Sequence, residues 1–172
     1  MNGAGNGATI GAASGAAIGA IFGKAKGATI GALSGGLLGA VIGSYYDKKM
    51  SSRSEAAKKY QYKASEEKLE IEKSVIAPQE VAPGTKFAAN VQYTVLHPEE
   101  TRQANIVETR LIDTGQEKIK LSQRTVTVEQ GTHLSTANVT LPKDWPSGEY
   151  SLITVISDGK QQKTIKTPLT VV

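Results

Sequence analysis

Residues 7–46, "GATIGAASGAAIGAIFGKAKGATIGALSGGLLGAVIGSYY", place a glycine at every fourth position. The series runs Gly7, Gly11, Gly15, Gly19, Gly23, Gly27, Gly31, Gly35, Gly39 and Gly43. A spacing of four has meaning only on a helix, yet each interior glycine costs about 1 kcal/mol against alanine there. Hydrocarbon reverses that balance. Unpaired backbone groups find no water in a bilayer, so helix is close to obligatory, and a stripe without side chains lets two backbones approach closely. Residues 7–26 and 27–46 are two copies of one 20-residue unit, identical at eleven positions. Each copy predicts a helix of roughly 26 Å, at the short end of what crosses a membrane. The short polar "GKAKG" between them folds the second helix back on the first. A repeat of four outruns 3.6, so the stripe drifts round the helix and offers more packing surface than a single partner needs. The prediction is a transmembrane hairpin that also packs on its neighbours.

The other faces carry what lipid accepts, including Ile10, Ile18, Ile21, Leu37, Leu38, Val41 and Ile42. Phe22 falls at the loop end and Tyr45 and Tyr46 at the far end, as interfacial anchors would, with Lys24 and Lys26 flanking one side and Lys48 and Lys49 the other. Charge follows the same division. Residues 1–44 carry Lys24 and Lys26 as their sole charged side chains, and residues 47–63 hold six bases against Asp47 and Glu55. The net charge of +4 is therefore concentrated beside the apolar segment, where it suits anionic head groups better than nucleic acid. The 172 residues contain no cysteine, which excludes disulfides, thiolate metal sites and a thiol nucleophile among them.

The paired GxxxGxxxG run, closing on "GAVIGSYYDKK" at Gly39–Lys49, resembles the glycine-zipper family of bacterial envelope proteins. The resemblance covers about residues 3–50. It implies a membrane-associated segment followed by a folded periplasmic module.

Residues 47–68, "DKKMSSRSEAAKKYQYKASEEK", are charged and free of Gly and Pro, which predicts a helical stalk continuing the second helix. From Leu69 the period changes from four to two. "KFAANVQYTVL" places Phe87, Ala89, Val91, Tyr93 and Val95 on one face, and turn signals ("APGT", "HPEE", "DTGQ", "EQGT", "DWPSGE", "SDGK") separate further alternating runs. Strands are predicted near 69–76, 86–96, 105–113, 117–122, 124–129, 134–141, 149–157 and 162–171, making an antiparallel sandwich. "LPKDWPSGEYSLITVISDGK" and "VAPGTKFAANVQYTVL" resemble strands of immunoglobulin-like bacterial domains, in which a tyrosine in the place of Tyr150 bonds back to the preceding corner. The predicted fold class is thus α + β and multidomain: hairpin 1–46, stalk 47–68, and an immunoglobulin-like all-β sandwich 69–172.

No stretch announces a reaction. His97 and His133 lack acidic or histidine partners at ligand spacing and read as surface imidazoles. Glu66, Glu67, Glu70 and Glu72 are interleaved with lysines and read as a solvated face. "GAIFGKAKG" is one residue short of a phosphate loop and lacks the hydroxyl after its lysine. Trp145 is a weak candidate for stacking on a sugar, with sealing the sandwich end as the favoured role. No catalytic residue, metal ligand or cofactor is expected. The sequence predicts a non-enzymatic protein integrated in the bacterial envelope, with the outer membrane and a periplasmic sandwich favoured over the inner membrane. Its partners would be the lipid bilayer and further copies of itself, with no nucleic acid. The alternative is a binding module that captures a glycan or envelope protein, the hairpin serving as anchor; a small-residue helical pore is a third, weaker reading.

Overall fold

A computed structural model describes residues 40–172. They form two facing β-sheets and one short helix. The strands are β1 (Val41–Ser52), β2 (Lys68–Ala77), β3 (Glu80–Val81), β4 (Lys86–Leu96), β5 (Ala104–Asp113), β6 (Lys118–Val128), β7 (Gly131–Thr140), β8 (Gly148–Ser157) and β9 (Gln162–Val171); helix α1 is Arg53–Lys59. One sheet has the order β1-β7-β4-β2 and the other β3-β9-β8-β5-β6. Pairing is antiparallel except for the short β3, which lies parallel to β9 and carries the chain from one sheet to the other.

Strand β4 has the bounds and the inward face that its alternation predicts. Phe87, Ala89, Val91, Tyr93 and Val95 are buried, and the intervening residues up to Gln92 are not. The core has two main parts along its length. One gathers Ile76, Phe87, Val139, Leu141, Trp145, Leu152 and Leu169 near the start of β4; the other gathers Leu69, Tyr93, Val95, Ala104, Ile106 and Ile156 near its end. Residues 118–128 form one strand where the sequence predicts two.

The largest departure lies at the start. Residues 41–46 are predicted as the end of a helix and 47–52 as stalk; instead Val41–Ser52 is an edge strand along β7. Local composition permits this, since Val, Ile and paired Tyr favour the extended state and Gly43 gives a helix nothing. Tertiary fit decides it. A register shift at Gly43 puts Ile42 opposite Val139 and Tyr45 opposite Ala137, so that side chains three residues apart share the inner face. The stalk prediction holds for seven residues only. Ser52 and Glu55 form a capping box that starts α1, and the helix ends at Tyr60. Among the described residues no helix is long and apolar enough to cross a membrane.

Gly131 allows this edge to close. Its φ is +136°, and a Cβ there would stand 2.3 Å from the Ser51 carbonyl oxygen. A side chain would force β1 off β7 where the two strands meet.

Candidate functional site

Two groups of polar side chains are built into the two-sheet body. The first fastens β1. Arg110 and Glu108, two residues apart on β5, face the space between the sheets and are fully buried. The Glu108 Oε2 accepts from Arg110 (3.1 Å), from Arg124 Nε on β6 (3.0 Å) and from the Ser135 hydroxyl on β7 (2.8 Å). Arg124 reaches onward to both carboxylate oxygens of Asp47 on β1 and lies 3.8 Å over the ring of Tyr45. The Tyr45 hydroxyl donates to Ser122. Charges so deep need this many partners, because a lone buried ion is costly. The chain of contacts runs from β5 through β6 to β1 and bridges the two sheets at their β1–β6 edge.

The second group closes the end of the body reached by β4, β8 and the chain entering β2. Gln130 organises it. Its Oε1 accepts from the His97 N–H (2.7 Å) and from Arg53 Nε (3.0 Å), and its Nε2 donates to the carbonyls of Glu99 and Arg102. Arg53 also donates to the His97 carbonyl. The His97 ring is 2% exposed, and its Nδ1 has no hydrogen-bond partner. Glu67 Oε1 stands 3.7 Å from that nitrogen, and Asp158 completes a trio whose ligand atoms all lie within 4.8 Å of one another. The Asp158 Oδ1 accepts from the backbone N–H groups of Lys160 and Gln161, whereas its buried Oδ2 is unpartnered. Lys160 and Arg102 also approach Glu67 Oε1, at 2.6 and 3.3 Å. Burial, reinforced by the Arg102 charge, pulls the His97 imidazole below its ordinary pKa. Burial alone would raise the Glu67 carboxyl, but the Lys160 hydrogen bond and the charges of Lys160, His97 and Arg102 override it and hold it low. On the outer side of Arg102, a cleft of about 530 Å³ is lined by Lys49, Arg53, Glu100 and Glu129 among others.

Glu72 stands apart from the trio, at a register shift in β2 that re-aims its side chain. It accepts from Tyr60 (2.9 Å), Thr94 (2.9 Å), Gln92 and Lys59. Burial pushes this carboxyl up, and those four donors outweigh it and hold the pKa at about 2.

The residues singled out from sequence fall in three places. Gly7, Gly11, Gly15, Gly19, Gly23, Gly27, Gly31, Gly35 and Gly39, with Phe22, Lys24 and Lys26, lie outside the described residues. Gly43, Tyr45, Tyr46, Lys48 and Lys49 belong to β1, so the proposed interfacial row is part of a sheet. There Tyr45 turns inward, Tyr46 is exposed, and Lys49 pairs with Glu129. Trp145 is 2% exposed and packs beside Tyr150 within the apolar cluster. The Tyr150 hydroxyl donates to the Pro146 carbonyl at 2.8 Å, the bond back to the corner anticipated for this tyrosine. Both histidines are buried, correcting their assignment to the surface: His97 within the trio, and His133 opposite Lys49, its ring 5.8 Å from that of Tyr93. Glu67 and Glu72 likewise leave the solvated face assigned to them. Sequence reasoning missed Gln130 entirely, since "EQGT" signals a turn and nothing in it announces a partner 33 residues away.

The family model described as YMGG-like Gly-zipper matches residues 1–47. The match thus covers the glycine repeat and runs into β1. No curated protein matches the chain. Among solved structures, similarity is found to the alkylpurine DNA glycosylase AlkC of Pseudomonas fluorescens, at 9% identity and a TM-score of 0.45, over 60% of this chain and 30% of that one. This chain therefore spans less than a third of the glycosylase's length. A CARDB domain from Pyrococcus furiosus, solved in complex with di-metal ions, is 15% identical with a TM-score of 0.46, over 62% of this chain and 94% of that one. A Niemann-Pick type C2 protein from the Japanese carpenter ant is 7% identical with a TM-score of 0.44, over 59% and 91%. At this level of likeness none of the three carries a function across.

Proposed function

We propose that the protein is a non-enzymatic, membrane-anchored component of the bacterial cell envelope. Its glycine repeat associates with further copies in the bilayer, and its two-sheet domain, of immunoglobulin-like type, is held at the membrane surface. The period-four glycine repeat within the matched Gly-zipper segment carries this reading. The structure supports it from the other side: β1 begins at Val41, before the glycine spacing ends at Gly43, and is fastened through Tyr45 and Asp47, so no free stalk intervenes. The outer membrane with a periplasmic domain suits a short apolar span. The role is scaffolding or membrane integrity.

Gly15→Leu combined with Gly35→Leu tests the association. The detergent-solubilised chain is expected to shift from oligomer toward monomer on crosslinking and sizing, while wild type sediments with membranes and resists alkaline extraction. Unchanged assembly, or recovery of the wild type in the aqueous fraction, would overturn the reading.

The polar end favours a second reading, a module that binds an envelope partner with the repeat as its tether. The cleft beside Arg102 presents both signs of charge to solvent. A soluble envelope glycan or protein retained by the full chain, and lost on Arg53→Ala, would favour it.

A further inference from the structure

We propose that Glu67, His97 and Asp158 form a divalent-metal site suited to zinc. The proposal is independent of membrane anchoring and rests on two features of the polar end. The first is convergence. Three side chains of metal-ligating type, from the segment entering β2, the turn after β4 and the turn after β8, bring one ligand atom each within 4.8 Å of the others. Donors about a tetrahedral zinc stand roughly 3.4 Å apart given metal–ligand lengths of about 2.1 Å. His97 Nδ1 and Glu67 Oε1, at 3.7 Å, are already close to that spacing.

The second feature is what the trio leaves unsatisfied. His97 is 98% buried by its 2% exposure, yet the nitrogen turned toward the carboxylates has no partner. The buried Asp158 Oδ2 has none either. Orphaned buried polar atoms are uncommon enough to call for an explanation. A cation held by the trio would give His97 Nδ1 the partner it lacks and bring both carboxylates onto one centre.

The donor set selects the metal. A neutral imidazole with two carboxylates suits zinc and its first-row neighbours, whereas calcium and magnesium favour all-oxygen shells. Three protein ligands leave a fourth position for water. The supporting shell is in place: the His97 backbone is held by Gln130, Glu67 by the Gln161 side chain on its carbonyl (2.6 Å), and Asp158 by two backbone N–H groups. Lys160 now neutralises Glu67. It is 62% exposed, and Arg102 is 41% exposed, so both can swing into solvent when a divalent ion takes their place. A bound ion would tie the two sheets together at this end.

The test uses the untagged full chain in detergent, zinc sulfate alone, and elemental analysis after desalting. Wild type is expected to retain about one equivalent, to unfold at a higher temperature as zinc is added, and to give a visible d–d absorption band with cobalt(II). Asp158→Asn keeps the acceptor that holds the turn and should weaken retention more than about tenfold; Glu67→Gln should do the same, with circular dichroism unchanged. His97→Ala should abolish retention, and if that variant fails to fold the two carboxylate variants decide. No retention by the folded wild type would assign the orphaned atoms to water and overturn the proposal. So would an equivalent that survives both carboxylate substitutions, which would place the metal elsewhere.

Discussion

The two ends of the sandwich are built from opposite materials. At the end where β4 starts, Trp145, Phe87, Leu141 and Leu169 close the gap between the sheets with apolar volume, and one tyrosine hydroxyl ties the corner. At the other end a polar group of Gln130, Arg53, His97, Glu67 and Asp158 caps the apolar cluster of Leu69, Val95 and Ile156. The first end is insensitive to how a side chain is oriented so long as it fills space. The second is directional, since each group depends on particular donors and acceptors contributed from distant parts of the chain. Apolar closure serves stability, and directional closure leaves functional groups in a defined geometry. The metal site proposed above lies at the polar end.

The comparison is broken most severely at the apolar end. Trp145→Ala is expected to cost about 3–5 kcal/mol, measured by urea denaturation of the full chain, because the cavity has no side chain ready to fill it. A loss below about 1 kcal/mol would mean that Trp145 does not seal that end. Gly131→Ala, beside Gln130, should cost about 2 kcal/mol through its φ of +136° and the clash with Ser51, and should raise hydrogen exchange along β1 selectively. Uniform exchange would show that β1 does not depend on that close approach. A comparable and more diagnostic effect concerns Glu72. Its folded pKa lies near 2, below the ordinary 4.5, so its contribution is fully present above pH 4.5 and is lost as pH falls through about 2. Glu72→Gln should accordingly be less stable than wild type by roughly 2 kcal/mol at pH 7, a gap that narrows steadily below pH 4.5. A gap that stays constant with pH would mean that the Glu72 charge contributes nothing.

Much of the β region could be read from its two-residue period. Strand β4 has the predicted bounds because its inner face is continuous from Phe87 to Val95, and the turns carry Gly and Pro signals that depend on near neighbours alone. Strand β1 was hidden because the glycine spacing runs on through Gly43, past the point where the chain becomes extended; the residues that favour the strand, Ala137 and Val139, lie nearly a hundred residues away. The polar end was hidden for the same reason. His97 has no ligand-like neighbour in sequence, and its companions Glu67, Gln130 and Asp158 lie 30 to 61 residues off along the chain. The one local hint was the unbroken apolar step Val95–Leu96 immediately before it, where a strict alternation would already have turned to solvent.

The direction of β1 has a mechanical consequence. It enters beside Thr140 and leaves beside Gly131, antiparallel to β7 along its whole length. A pull on the glycine repeat would therefore act along the strand axis, away from the polar end. If that far end were held by whatever it engages, the β1–β7 hydrogen bonds would bear the load together in shear and would not open one after another like a peeled seam. Asp47 and Tyr45, gripped from the facing sheet, add a lateral catch against sliding. The edge strand that ends the repeat is thus arranged as a tensile coupling.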